Sequence, residues 1–267
     1  MQGRAEVAVV GAGIVGLAAA DALARAGVDA LCFEAAEPGS GQSAGDTRVF
    51  RHAHDRADLV ELVSCARRGW DEWSELAGGS LVGNEGVLFA SPEAEDLAAL
   101  LAEAGVEHRV VDEEEQRRLL PVLRPPGGPA LYDVRGGAIH ARKAVAALVA
   151  RLGDRLVREE VQSVDREGVV ETATGSRRFE RVLICAGART PELAAPLGVQ
   201  LPLEIRDHTR VTFRPLEEHD AVWEAGAALV FAGHNLFKFA PLLGEMLAEA
   251  CRGRIAPELR PPDRPTA

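Results

Sequence analysis

The sequence predicts an α/β fold built on a doubly wound parallel sheet that carries a small antiparallel meander. Three stretches predict it. Val7 to Glu34, VAVVGAGIVGLAAADALARAGVDALCFE, alternates strand, glycine turn, helix and strand. Residues 156–179 break into short strands separated by turn residues, and Arg181 to Cys185, RVLIC, returns as a buried apolar strand. In the first stretch Val7 to Val10 is a mostly β-branched run, too brief for a helix, and reads as a buried parallel strand.

Gly11, Gly13 and Gly16 complete GxGxxG directly after that strand. The first glycine permits the tight turn, the second lets backbone N–H groups approach a pyrophosphate, and the third lets the following helix pack closely on the strand. Ile14 and Val15 open that helix, whose positive dipole end faces the phosphates. Ile14, Leu17, Ala18 and Leu23 make its sheet-facing side, Gly27 stops it, and Ala30 to Phe33 follows as the second strand. Glu34 stands 23 positions beyond Gly11, where a carboxylate accepts hydrogen bonds from an adenosine ribose and repels a 2′-phosphate. The order of strand, glycines, helix, strand and acid points to a Rossmann-like site for an adenine dinucleotide; a tight turn without ligand is the competing reading. FAD and NAD both fit this motif.

Composition narrows the class. A chain of 267 residues, 47% of them hydrophobic, can bury a substantial core. A formal net charge of −11 argues against nucleic acid as a partner, and with 4% aromatic residues there are few platforms for exposed bases. Cys32, Cys65, Cys185 and Cys251 lie far apart without CxxC spacing, so neither a zinc site nor a disulfide framework is expected, and most read as small core hydrophobes. The fold starts too early for a signal peptide, and no apolar run reaches the roughly 20 residues of a membrane span. The expectation is a cytoplasmic protein with no membrane partner.

After Glu34 a polar loop, Gly39 to His54, runs into Arg48 and Arg51, which at that spacing share one side of a helix or turn. With Asp46 and Thr47 beside them they form either an anion site for phosphate or carboxylate, or a solvated turn paired to Asp46 and Asp55. Residues 58–76 read as a helix with Trp70 and Trp73 as core anchors. Gly86 to Ala90 reads as a strand, Ser91 as the cap of a helix from Pro92 to Ala104, Glu107 to Val111 as a strand, and Asp112 to Glu115 as the acidic start of a further helix. A Pro/Gly-rich connection, Pro121 to Pro129, leads to a strand at Ala130 to Val134, then to a turn and amphipathic helix at Gly136 to Gly153.

Leu156 to Glu160, Gln162 to Asp165, Val169 to Thr174 and Arg177 to Phe179 make the antiparallel insert. Ala186 and Gly187 follow RVLIC, where backbone either approaches the dinucleotide or simply ends the strand. Leu203 to Phe213 reads as a long strand, and Ala221 to Glu224 with Ala227 to Phe231 as a hairpin. A last helix comes after Gly233. Lys238 sits at or near its start, where a cation opposes the helix dipole; it either serves a ligand or snorkels to water.

Three separated pieces, the N-terminal fingerprint, GDTRVFRHAH at 45–54 and GHNLFKFAPLLGEMLA at 233–248, together resemble the FAD-dependent amino acid oxidase (DAO) family, within it monomeric sarcosine oxidase and N-methyltryptophan oxidase. The resemblance implies FAD and an FAD-binding, Rossmann-like domain at 1–85, 135–200 and 221–255. It also implies a reduced α+β substrate domain at 86–134 and 201–220, followed by a tail at 256–267. Gly11, Gly13, Gly16 and Glu34 would hold the ADP half, with Ile14 and Val15 at the helix start. Ser43 and Thr47 would lie along the pyrophosphate and flavin linker, Val161 would bracket the adenine through its backbone, and Ala186, Gly187 and Gly233 would line the cofactor. Arg48 would sit against the isoalloxazine, while Arg51 and Lys238 would grip a substrate carboxylate.

The family's large sheet between the equivalents of Phe213 and Ala221 is essentially missing, and with it the covalent flavin cysteine, so noncovalent FAD is implied. The resemblance thus implies oxidation of a small amino acid. A catalytically inactive flavin-binding remnant, with a partner chain over the open substrate side, is the alternative.

Overall fold

A computed structural model describes residues 5–121, 125, 127–199, 221–225 and 228–232. The expected long strand at 203–213, the helix after Gly233, Lys238 and the tail lie outside these residues. The described chain forms two compact units, one from residues up to 48 with 69–82 and 139–199, the other from 49–68, 83–138 and the 221–232 hairpin.

The first unit contains β1 (Val7–Val10), α1 (Ile14–Arg25) and β2 (Ala30–Phe33), in the order the fingerprint predicts. The chain continues through β3 (Thr47–Phe50), α2 (Ala57–Leu76), β4 (Val87–Ala90), α3 (Ala94–Glu103), β5 (His108–Val111), α4 (Glu113–Leu119), β6 (Ala130–Asp133) and β7 (Gly137–His140). It then forms α5 (Ala141–Leu152), β8 (Leu156–Val157), β9 (Val161–Val164), β10 (Val169–Thr172), β11 (Gly175–Arg178), β12 (Arg181–Ile184), α6 (Thr190–Ala194), β13 (Ala221–Ala225) and β14 (Ala228–Ala232).

Four strands make the parallel sheet of the first unit, in the order β12-β1-β2-β8. Successive side chains on β1 point to opposite faces and enter different cores. Val9, with Leu17 and Ala20 of α1 and Leu148 and Leu152 of α5, forms the helical side. Ala8 and Val10 join Phe33, Val161, Val164, Val170, Phe179 and Leu193 on the other, so the meander and α6 cover that face. Asp21 on α1, almost wholly buried, accepts from Arg25 at 3.0 Å and from Arg151 of α5 at 2.7 Å, which ties the two helices together.

Several local expectations are corrected. Leu156 to Glu160 does not enter the meander: β8 pairs parallel to β2, Cys32 opposite Leu156, and only β9, β10 and β11 form the antiparallel sheet. β12 is not fully buried, since among the described residues it has a strand neighbour on one side only and Leu183 is 41% exposed. Residues 137–140, read as a turn, are extended and pair with β3. Ser91 accepts from the Glu93 N–H rather than capping the helix itself, which begins at Ala94. Trp73 packs on the helical core beside Trp70, the rings 5.1 Å apart, as anchors do.

The second unit is an antiparallel sheet ordered β4-β6-β5, with Leu131 of its middle strand packed against Val60 and against Ala94, Leu97, Ala98 and Leu101 of α3. Asp112 caps α4 by accepting from the Glu115 N–H at 2.9 Å, the acidic start expected there. β13 and β14 pair as the predicted hairpin, Ala221 opposite Ala232.

Candidate functional site

The turn from β1 to α1 is shaped by its glycines. Gly11 has φ +103°, and a Cβ there would lie 2.5 Å from the Cys185 carbonyl oxygen. At Gly16 a Cβ would come within 1.9 Å of the Gly11 carbonyl, so only glycine lets α1 approach β1 this closely. Gly13 is different. A Cβ there would meet only the Ser43 hydroxyl, at 3.4 Å, so the space over the helix start is open rather than packed. No acidic side chain occupies the first turn of α1, and Gly13 supplies no side-chain cap. The Ile14 N–H donates to Ser43 Oγ at 3.0 Å, and Val15 is 67% exposed at the same helix end.

Glu34 closes the other side. One carboxylate oxygen accepts from the Ala12 N–H at 2.7 Å and the other from the Ala36 N–H at 3.0 Å. Each oxygen keeps a further lone pair for a ribose hydroxyl, so the carboxylate is oriented and still able to accept. The loop carrying Ser43 is pinned over the glycine turn by the Gly39 N–H, which donates to the Ala12 carbonyl at 2.9 Å. Near its end the Asp46 carbonyl accepts from the Ala141 N–H at 2.8 Å. Arg48 braces this loop from within, donating to the carbonyls of Thr47 at 2.7 Å and Gln42 at 3.0 Å and also to that of Ala44.

Of the residues singled out from the sequence, the first unit brings Gly11, Gly13, Ile14, Val15, Gly16, Glu34 and Ser43 together around one turn. Thr47 and Arg48 follow on β3. Ala186 and Gly187 come directly after β12, where Gly187 has φ +58° and a Cβ would lie 3.5 Å from the Gln42 side chain. Val161 is buried in the core under the meander. Gly233 and Lys238 lie outside the described residues. Sequence reasoning missed Ala12 and Ala36 as donors to Glu34, and Gln42 beside Gly187, because backbone donors and loop contacts leave no residue-type signal.

The two arginines are corrected in one respect: Thr47 to Phe50 is a strand, not a helix or turn, so spacing by three no longer implies a shared side. Arg51 belongs to the second unit. Its guanidinium donates to the Ala53 carbonyl and lies 5.1 Å above the Phe89 ring. Among the described residues no carboxylate pairs with it, whereas Arg25, Arg109, Arg142, Arg151, Arg158, Arg177 and Arg189 each reach one. His54 nearby is held below its ordinary range, first by burial and then by the Arg51 charge.

The described cysteines, Cys32, Cys65 and Cys185, form no disulfide with one another. Burial, followed by the nearby Glu34 charge, pushes the Cys32 thiol up to about 12, and burial raises Cys185 as well. Cys32 is buried and Cys185 partly so, whereas Cys65 is exposed. No group of His, Cys, Asp and Glu among the described residues could hold a metal ion, and no described helix is long and apolar enough to cross a membrane.

Open space at Gly13, a helix start without an acidic residue or a cap from its own N-cap side chain, and an oriented Glu34 fit a dinucleotide pyrophosphate and ribose. The sequence profile of the family described as FAD dependent oxidoreductase (DAO) matches residues 6–231. The chain belongs to this family. FAD is therefore the dinucleotide for which the turn is built. Monomeric sarcosine oxidase from Bacillus sp. (strain B-0618) is 30% identical over 215 residues, covering 74% of this chain and 55% of that protein. N-methyl-L-tryptophan oxidase from Citrobacter koseri is 29% identical over 211 residues, covering 73% and 56%. The crystal structure of glycine oxidase from Geobacillus kaustophilus superposes with a TM-score of 0.64 at 26% identity, covering 74% of this chain and 59% of that one. The chain spans about half the length of the curated relatives it matches.

Proposed function

We propose that this family member oxidises the C–N bond of a secondary or primary amino acid, with noncovalently bound FAD as the acceptor of the hydride. Arg51 and Lys238 would bind the substrate carboxylate and so orient the carbon beside nitrogen, and FAD, when bound, would supply the hydride acceptor. The Glu34 carboxylate and the α1 N-terminus would hold the ADP half, and Arg48 would supply positive charge on the flavin side of the loop. One observation carries the carboxylate assignment: Arg51 is a half-buried guanidinium, fixed by a carbonyl and an aromatic ring, without a carboxylate partner among the described residues. A cation held in that way retains four N–H donors for a bidentate anion. The names of the relatives, sarcosine oxidase, N-methyl-L-tryptophan oxidase and glycine oxidase, supply the substrate class.

The test is the absorbance of the purified protein under anaerobic conditions with sarcosine, glycine and proline. Bleaching of a yellow protein, with KM raised at least tenfold in Arg51→Gln at unchanged FAD content, is the expected result. A second reading, a flavin-binding module without turnover that takes a partner chain, is favoured by the short interval between Phe213 and Ala221, where the family's large sheet is essentially missing. A yellow protein that no amino acid bleaches is its signature.

A further inference from the structure

Asp133 and His52 form a buried polar pair that neither the dinucleotide turn nor the carboxylate grip uses. Asp133 is 0% exposed and His52 3% exposed. One carboxylate oxygen of Asp133 accepts from the His52 backbone N–H at 2.6 Å, and both oxygens lie 3.1 Å from Nδ1, which therefore carries its proton toward them. The imidazole stands edge-on to Phe50, ring centroids 5.1 Å apart. With so little of its side chain exposed, His52 does not itself meet a ligand. A buried carboxylate is costly unless bonded, so two bonds to a single residue 81 positions away make a rigid clamp on that residue.

What the clamp holds is the backbone around Arg51. The Arg51 guanidinium reaches across His52 to the Ala53 carbonyl, and Ala53 is sealed into the cluster of Val60, Leu97 and Leu101. Phe89, beneath the guanidinium, lies on β4 directly opposite Leu131 of β6, the strand that ends at Asp133. One sheet thus supplies both the aromatic platform for the cation and the carboxylate that anchors its main chain.

We infer that Asp133 and His52 are positioning residues that fix the Arg51 guanidinium for a small carboxylate ligand, an inference that rests on Arg51 being the carboxylate grip. The test uses the flavin-loaded full chain, with acetate as probe and flavin absorbance as signal, in the native protein, Arg51→Gln, Asp133→Asn and the double variant. Acetate affinity falls at least tenfold in Arg51→Gln and about tenfold in Asp133→Asn at unchanged FAD content, and Asp133→Asn adds nothing in the Arg51→Gln background. A purely structural Asp133 weakens binding equally in both backgrounds, and that result overturns the inference.

If Asp133→Asn does not fold, His52→Gln replaces it, since it keeps the backbone bond and removes only the ring; its effect must likewise vanish in the Arg51→Gln background. Native-like acetate binding in the Asp133 or His52 variants, alongside weakened binding in Arg51→Gln, refutes the positioning role and leaves the carboxylate grip standing. Unaltered binding in Arg51→Gln, or no acetate response in the native protein, refutes both.

Discussion

Replacing Gly16 and Gly13 separately by alanine divides the fingerprint into a packing glycine and a ligand glycine. At Gly16 the added Cβ lies 1.9 Å from the backbone oxygen of Gly11 and 3.4 Å from Cys185 Cβ. Relief to an ordinary contact near 3.4 Å has to come from a displacement of α1 off the sheet, because the obstructing atom is main chain. That displacement strains the contacts of Leu17 and Ala20 with Val9 and Cys32 in the helical core. Overpacking of this kind costs about 1–3 kcal/mol, and a backbone obstruction places Gly16→Ala at the upper end, about 3 kcal/mol.

Gly13 has φ −69°, which alanine adopts freely, and its added Cβ meets only Ser43 Oγ at 3.4 Å. Gly13→Ala should therefore change stability by less than about 1 kcal/mol while its methyl group fills the space meant for the pyrophosphate. Urea unfolding of the flavin-free proteins gives the stability term without the contribution of bound ligand, and the absorbance ratio of flavin to protein after reconstitution gives the binding term. The expected pattern is loss of both in Gly16→Ala and loss of flavin alone in Gly13→Ala. Equal destabilisation by the two substitutions, or normal FAD content in Gly13→Ala, would refute the division.

Alkylation with iodoacetamide followed by peptide mapping should label exposed Cys65 in the native protein and Cys32 only after denaturation, because burial keeps Cys32 as the thiol. Asp21→Ala removes the acceptor shared by Arg25 and Arg151; with both arginines partly solvated, the loss is about 2 kcal/mol in urea unfolding, and a change below about 0.5 kcal/mol would show that the α1–α5 tie is idle. His54 has a folded-state pKa below the ordinary 6.5, so it takes up its proton more readily when unfolded. Its contribution is present above that range and lost as pH falls through it and then through the lower folded value. In His54→Asn the fall in stability on acidification through that window should be shallower, as thermal melting across a pH series will register.

The fingerprint region was legible because its constraints are local. The periodicity of Val7 to Phe33 and the spacing of three glycines specify strand, turn and helix within one unbroken stretch, and Glu34 follows at the end of the second strand. The boundaries of β1 and β2 coincide with the apolar runs that predicted them. Where short strands had to be allotted to sheets, the reading failed. Leu156 and Val157 look like any hairpin strand, yet they pair with β2 because the single 3-10 turn Gly153–Arg155 after α5 delivers them to its edge. Residues 47–50 and 137–140 carry little β pattern of their own and become extended by pairing with one another.

The sequence by itself determined the nucleotide turn and the family, since phosphate and ribose recognition is written into residues within 24 positions of each other, from Gly11 to Glu34. Only the tertiary structure decided that Gly16 serves packing while Gly13 faces open space, that Glu34 is oriented by Ala12 and Ala36, and that Asp133 clamps the backbone beside Arg51. The physical reason is range. A backbone N–H, or a carboxylate 81 residues away, becomes a partner only when strand pairing brings the two chains together, and no spacing in the sequence encodes that meeting.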